Sequence, residues 1–518
     1  MEPDSALYAY ISKTIVLKDD WLNLYVRGAD WLDKPHLTFW ISAFSFKIFG
    51  INPFAFKLPS YLFGLLGAWY TFKLGARIYS EKVGLLSALI WLSSLHVLLS
   101  TFDVRAEIYI TTFTLASIYH YYRAHTSSFW QVVLGSFFAA CAIMIKGIFV
   151  LFPVFMGFII FWLFSGDYKQ LMKPKWYLAV VLVLVFITPE LYSLYYQFDL
   201  QPEKVVFGTT GVSGLKFFFW DSQFGRFFNT GPIKGRGDIA FFLHTTLWAF
   251  LPWSILFYTA VVNLFKKTKR VEMPKESIIL WASALVTFLL FSFSKFQLPH
   301  YILIILPQFA IITAYYLVNL KEKGIKVFTI VQNCIFVLVL GLLITIAFVF
   351  DMEAKLIVTA IMVLLSISAF LVFRAPGLTR LVGRSSFLSI ILMIFLSGFF
   401  YPSLLKYQSG MQAGKWLDLY MPKAQTGVLM HRASFSFDFY APTDPKYFDS
   451  FEELDAYKDR QGMVLYVSKQ YVEELKLKYD FEVLRTFDYY HTTKLKPKFL
   501  NSKTRKEVLE QFFLLKFK

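Results

Sequence analysis

Between about residues 60 and 405 the sequence returns repeatedly to apolar runs of roughly 20 residues, each long enough as a helix to cross a bilayer. Nothing else in the chain restricts its fold so strongly. In a bilayer core every backbone N–H and C=O must be satisfied within the protein, so such runs predict a mainly α, polytopic helical membrane protein. Only 17% of the residues are charged, where a soluble domain carries about a quarter. Twelve spans are expected, near 60–79, 83–102, 106–124, 129–145, 146–165, 177–197, 241–265, 278–294, 299–318, 326–350, 355–373 and 386–405.

Positive charge collects in alternate connections. One set holds Arg77 and Lys82; Arg123; Lys169, Lys173 and Lys175; Lys266, Lys267, Lys269, Arg270 and Lys275; Lys321, Lys323 and Lys326; and Arg374, Arg380 and Arg384. The positive-inside rule places these loops in the cytoplasm of an inner or plasma membrane. Topology thus accounts for most of the net charge of +17, and no nucleic-acid partner is needed. Cys141 and Cys334 both fall in apolar runs, which implies neither a disulfide framework nor a thiolate metal site.

Parity assigns the remaining segments to the outer face: residues 1–59, the turn 101–107, the junction at Lys146, the loop 198–240, the segment 294–301 and the tail from 406. The unusual polar clusters all lie there. Three parts follow: an outer-face segment 1–59 with interfacial helices near 6–17 and 36–50, a transmembrane part 60–405, and a soluble α/β domain 406–518. In the tail, "TGVLMHRAS", "GMVLYVS" and "FEVLRTFDYY" read as strands, separated by the charged helical stretches "SFEELDAYKDR" and "SKQYVEELKLKY". Residues 1–59 carry charges such as Asp4, Lys13 and Asp19 with no span before them. An upstream helix of roughly 20 apolar residues, in a reading frame about 20–40 residues longer, is therefore expected.

On local sequence Asp4 fits a helix N-cap as well as a general base. Glu107, in "TFDVRAEIYITTF" with Asp103 and Arg105, lies on the membrane side of the turn, where an acidic group usually faces a polar cavity. Lys146 follows an apolar run on the outer side. Asp221, Gln223 and Arg226 alternate with aromatics in "FFFWDSQFGRFF", and Lys295 and His300 stand in "SKFQLPHYILIILP". With Asp33 and Lys34 of "LDKPHLTFW" these form one basic and one acidic set at a single membrane face. Such a mixture suits a reaction in which an anionic group leaves while a neutral nucleophile loses a proton. No His-x-x-His spacing supports a metal site, and a divalent metal stays open.

The order "KPHLTFWISAFSFKIFG", "KLPSYLFGLLGAWYTFKLGARIYS", "KGIFVLFP", "FFFWDSQFGRFF", "PWSILF" and "SKFQLPHYILIILP" resembles the lipid-linked-sugar glycosyltransferases of the GT-C fold. The similarity is to the bacterial aminoarabinose transferase and protein O-mannosyltransferase group, and runs from residue 1 to about 320. The resemblance implies a polyprenyl-phosphate sugar donor and an acceptor that is lipid A, a protein or another glycan. It places the catalytic aspartate on Asp4 and a second acidic position on Glu107, where the family has aspartate. The donor phosphate falls to Lys34, Arg226, Lys295 and Tyr301, the last two in a motif with Ser294, Leu298 and Pro299. Asp33, Arg105, Lys146, Asp221, Gln223 and His300 are supporting candidates. Two departures stand out: "DSALYA" replaces the family's acidic–arginine pattern, and its first span is missing. The alternative classes are a flippase for lipid-linked saccharides and an O-antigen ligase or polymerase. Against a transporter, the ionisable groups gather at one face and the sequence shows no internal repeat.

Overall fold

The computed structural model describes residues 3–126, 129–231, 233–265, 273–430 and 435–518. Glu2, the loop cations Lys266, Lys267, Lys269 and Arg270, and positions 431–434 of the first expected strand stretch lie outside the described residues. The chain divides into two compact units interleaved in sequence. One joins Met1–Lys13, Val337–Ser368 and Ile391–Lys518; the other joins Thr14–Phe336 and Ala369–Ile390.

The larger unit is a helical bundle. Its helix Pro53–Ile78 begins at an Asn52 cap, whose side chain accepts from the Ala55 N–H at 2.9 Å, with Pro53 in the first turn. The first long helix thus starts seven residues before the expected span, because "INPF" is a helix start. Small residues let its neighbour approach: a Cβ on Gly84 would lie 2.6 Å from the Phe72 carbonyl. Polar side chains tie the helices together. Ser60 donates to the Thr101 carbonyl at 2.9 Å, and Thr112 to that of Phe63 at 2.9 Å. Helix Ala106–Ala124 runs through this packing with all but three of its 19 residues buried. It can therefore carry hydroxyls and a carboxylate.

Among the described residues six helices are long and apolar enough to cross a membrane, or eight if each bent pair is one span. This falls short of the twelve expected, for visible reasons. The run 83–102 bends by 56° between Glu81–Leu92 and Leu95–Phe102, and 177–197 bends by 40°. The run 241–265 separates into Phe241–Ala249 and Ser254–Phe265. Ala106–Ala124 has its expected limits, but as a buried helix it need not be apolar all round.

The two N-terminal helices differ. Leu37–Phe49 buries one side and exposes Phe44, Ile48 and Phe49, as an interfacial helix would. Pro3–Lys18 does not fit the expected amphipathic pattern, since every residue from Ser5 to Lys13 is buried. The Lys13 ammonium donates to the carbonyls of Asp438, Phe439 and Ala441 at 3.0–3.1 Å, and Tyr10 donates to Asp444 at 2.9 Å. Three carbonyls at a helix end replace water around Lys13, although burial still lowers its pKa.

A hairpin of β1 (Tyr25–Val26) and β2 (Ala29–Asp30) belongs to the larger unit. In the smaller unit β3 (Thr426–Leu429), β4 (Lys446–Phe448), β5 (Val464–Ser468), β6 (Phe481–Tyr489) and β7 (Glu510–Phe517) form a mixed sheet in the order β4-β3-β5-β7-β6. Parallel pairs join β3 to β4 and β5, and antiparallel pairs join β7 to β5 and β6. Both faces are covered. Val464 and Tyr466 enter one apolar cluster while Leu465 and Val467 enter another, so β5 reads as an unbroken apolar run.

Arg505 ties this sheet to the ends of long helices in its own unit. Its guanidinium donates to the Phe499 carbonyl (2.9 Å), the Phe350 carbonyl (2.6 Å) and the Tyr407 hydroxyl (2.9 Å), and lies 4.0 Å from the Phe350 ring centroid. Hydrogen bonds to a charged group contribute more than neutral ones, so Arg505→Ala should cost about 2–4 kcal/mol. A lowered unfolding midpoint and faster proteolysis of the tail are expected; wild-type behaviour in both would contradict this role.

Candidate active site

The segment between the hairpin and the Leu37–Phe49 helix is held from one side. Arg27 and Gly28, both at positive φ (53° and 80°), make the two-residue turn that closes β1 on β2. Buried Gln197 accepts from the Leu24 N–H at 3.0 Å and donates to the Leu24 carbonyl and to Asp30 at 2.9 and 2.8 Å. Lys204 pairs with Asp30 at 2.9 Å. Fully buried Glu190 accepts from the His36 N–H and ring Nδ1, each at 3.0 Å, while His36 Nε2 lies 3.0 Å from the Leu22 carbonyl. Asp33 and Lys34 are thus fixed between two anchored points.

Lys34 bonds Asp33 at 3.0 Å, and the Arg226 guanidinium reaches the other Asp33 oxygen. Arg226 follows a π-helical stretch, Phe217–Gly225, that also supplies Gln223. Gln223 donates to the Lys146 carbonyl at 2.9 Å. Gly147, at φ +99°, lets it come so close: a Cβ there would lie 2.2 Å from the Gln223 amide nitrogen. Lys146 then pairs with buried Glu107 at 2.5 Å and stands 3.5 Å over the Tyr301 ring. His300 Nε2 lies 3.7 Å from the same Glu107 oxygen.

Two cavities meet at this line of charges. One, of about 730 Å³, is bounded by Glu107, Lys146, Arg226, Phe291 and Tyr301. The other, of about 330 Å³, is bounded by Asp33, Lys34, Lys146, Glu190 and Arg226. Lys146, Gln223 and Arg226 face both. Three cations, Lys34, Lys146 and Arg226, stand here with the carboxylates of Asp33 and Glu107, while the third carboxylate, Glu190, is taken up by His36.

Burial would raise the Asp33 carboxyl, but Lys34 and Arg226 outweigh it and hold the group below the usual carboxylate range. Asp33 therefore stays ionised in acid; its contribution to stability is present above its unfolded pKa and is lost as pH falls through the depressed folded value. Burial pulls the Lys34 ammonium below its ordinary pKa, with Asp33 opposing. A second anion beside Lys34 would offset that cost by attraction, as Asp33 does.

Lys34, Arg226, Glu107, Tyr301, Asp33, Lys146, Gln223 and His300 are brought together. The others are elsewhere. Arg105 pairs with Asp103 at 2.8 Å, Asp221 is half-buried and bounds neither cavity, and Lys295 is exposed and bounds neither. The backbone N–H of Lys295 instead donates to the Phe227 carbonyl at 3.1 Å, beside Arg226. Asp4 lies in the other compact unit, exposed in the first turn of Pro3–Lys18 rather than ahead of it. Among the described residues no three His, Cys, Asp or Glu side chains converge as a metal-ligand set. Sequence reading passes over His36, Glu190 and Gln197. An acidic residue inside the apolar run 177–197 is the signal that finds the second of these.

The family model described as dolichyl-phosphate-mannose-protein mannosyltransferase matches residues 33–192. An uncharacterised protein of Aquifex aeolicus is 28% identical over 62% of this chain and 61% of its own length. The undecaprenyl phosphate-alpha-4-amino-4-deoxy-L-arabinose arabinosyl transferase of Shewanella sediminis is 25% identical over 64% of this chain and 59% of its own. The chain thus spans about three fifths of these relatives. The crystal structure of ArnT from Cupriavidus metallidurans bound to undecaprenyl phosphate superposes with a TM-score of 0.74 at 16% identity, covering 98% of this chain and 93% of that one. The chain is a multi-pass membrane protein with the GT-C fold of ArnT, and in sequence it resembles the aminoarabinose transferase and protein O-mannosyltransferase group.

Proposed function

We propose that this chain is an integral membrane glycosyltransferase that moves one sugar from a polyprenyl phosphate to an acceptor at the outer face of the inner membrane. The observation that carries the reading is the Lys34–Asp33–Arg226 arrangement on the wall of the smaller cavity, with Arg226 shared with the larger. Asp33 bridges two cations as a phosphate would, and an incoming phosphate exchanges with it. In the reaction the bond from the sugar anomeric carbon to the phosphate oxygen breaks. A new bond forms from the opposite side to an acceptor oxygen, whose proton passes to Asp4, and the anomeric configuration inverts. Polyprenyl phosphate leaves with its charge held by Lys34 and Arg226. Glu107, locked to Lys146, sets the position of that ammonium and of Tyr301.

On this reading all twelve apolar segments cross the membrane, the shorter and bent ones packed inside the bundle, and the β3–β7 sheet lies on the periplasmic side. The sugar is a pentose or hexose, and the acceptor is lipid A, a protein or a glycan.

Lys34→Ala tests the phosphate contact. Truncating one partner of a buried charged pair costs about 2–4 kcal/mol, so donor KM should rise roughly 30- to 700-fold with a smaller change in kcat. Donor titrations that match wild type would leave Lys34 as an interfacial anchor only.

A further inference from the structure

A second groove, of about 1010 Å³, lies wholly within the smaller unit, remote in sequence from the Lys34 and Glu107 segments. One wall is a face of the helix Ser409–Tyr420, whose residues 412, 415, 416, 419 and 420 recur at helical spacing. The opposite face of that helix packs into the core through Leu417. The groove face leaves Leu419 71% and Tyr420 63% exposed, with the Trp416 and Tyr420 ring centroids 5.1 Å apart. The other wall is β6, the end strand of the sheet, where a register shift between Val483 and Arg485 marks a bulge.

The charge in this groove is one-sided. Lys406, Lys415 and Arg485 line it against the single carboxylate of Asp488. Lys406 is engaged by Glu353 at 2.5 Å, whereas Lys415 and Arg485 are exposed, lie over the Tyr440 and Phe487 rings, and form no ion pair with the described residues.

Covalent continuity joins it to candidate membrane spans. Lys406 and Tyr407 are both groove residues and the last residues of the candidate span Leu378–Tyr407. Arg505 joins Tyr407 to Phe350, one residue past the candidate span Glu322–Val349. Read as spans, the two helices end together beside the groove, where lipid headgroups lie. A half-buried Trp416 and an exposed Tyr420 beside Lys and Arg are the composition proteins place there.

We propose that this groove binds the phosphate-bearing headgroup of a membrane lipid. Lys415 and Arg485 take the phosphate, and Trp416 and Tyr420 pack against the carbon skeleton beside it. A phospholipid headgroup and the phosphorylated sugar of a glycolipid offer the same chemistry. The second source is an acceptor delivered to the transferase, which rests on the function proposed above; the binding site itself does not.

The experiment uses the full chain in nanodiscs of phosphatidylcholine, doped with either phosphatidylglycerol or a phosphorylated lipid A, and native mass spectrometry of the lipids retained. Lys415→Gln/Arg485→Gln should lower retention of the doped anionic phosphate lipid over phosphatidylcholine roughly tenfold. It should leave undecaprenyl phosphate retention and the unfolding midpoint unchanged. A control pair of exposed cations outside the groove, Lys458→Gln/Lys503→Gln, should retain lipid as wild type does. Loss in both arms assigns a general phosphate-headgroup site, and loss in the lipid A arm alone assigns the acceptor. Equal retention by wild type and the groove variant in both arms, or equal loss in the control pair, overturns the proposal.

Discussion

Asp4→Asn should lower kcat by about 10²–10⁴-fold while donor affinity and the unfolding midpoint stay at wild-type values. Asparagine keeps the shape of the side chain and removes its capacity to take a proton. Asp4 is exposed in the first turn of Pro3–Lys18, so the substitution buries no new group. A helix-capping role would predict the opposite pattern, with little loss of rate and a change in stability of at most about 1 kcal/mol. Near-normal turnover by the purified variant would remove Asp4 from the mechanism and send the search for the base back to the carboxylates of the cavity.

Lys146→Met should be as damaging through a different route. The Lys146 ammonium is bonded to buried Glu107 at 2.5 Å and lies over the Tyr301 ring. Without it Glu107 is a buried charge lacking its principal partner, and breaking such a pair costs about 3–5 kcal/mol. Both stability and transfer should fall. The double variant Lys146→Met/Glu107→Gln removes both charges and should recover most of the stability, but turnover should stay down by at least about 10²-fold. If the double variant regains activity along with stability, the pair serves the fold alone.

What the sequence conveyed depended on how local the cause was. Helix Ala106–Ala124 has the limits read from its pattern, because a turn with Asp103 and Arg105 precedes it and no glycine or proline interrupts it. Lys34 and Glu107 stand out in the sequence because charge beside apolar runs is costly wherever it occurs. Three of the five strands of the sheet coincide with expected runs. The missed ones are β4, only three residues long, and β7, whose place between β5 and β6 is a long-range pairing that no local pattern encodes. The bends near Ser93 and Ile187 are invisible to a count of apolar residues, which averages over a break. Glu190 is lost the same way: one carboxylate in a long apolar run hardly changes its average, yet it accepts from both the backbone and the ring of His36. The burial of Pro3–Lys18 was hidden because its partners, the carbonyls of Asp438, Phe439 and Ala441, lie more than four hundred residues away.

The central claim is that this protein breaks a sugar–phosphate bond at the Lys34–Arg226 site. The most direct test follows a polyprenyl-phosphate-linked sugar in liposomes holding the purified protein, with mass spectrometry of the lipid and a leaflet-specific probe of its position. The account predicts that free polyprenyl phosphate appears together with a glycosylated acceptor, and that Lys34→Ala and Lys146→Met suppress both. Intact sugar lipid that changes leaflet with no loss of its sugar would contradict it and identify a transporter.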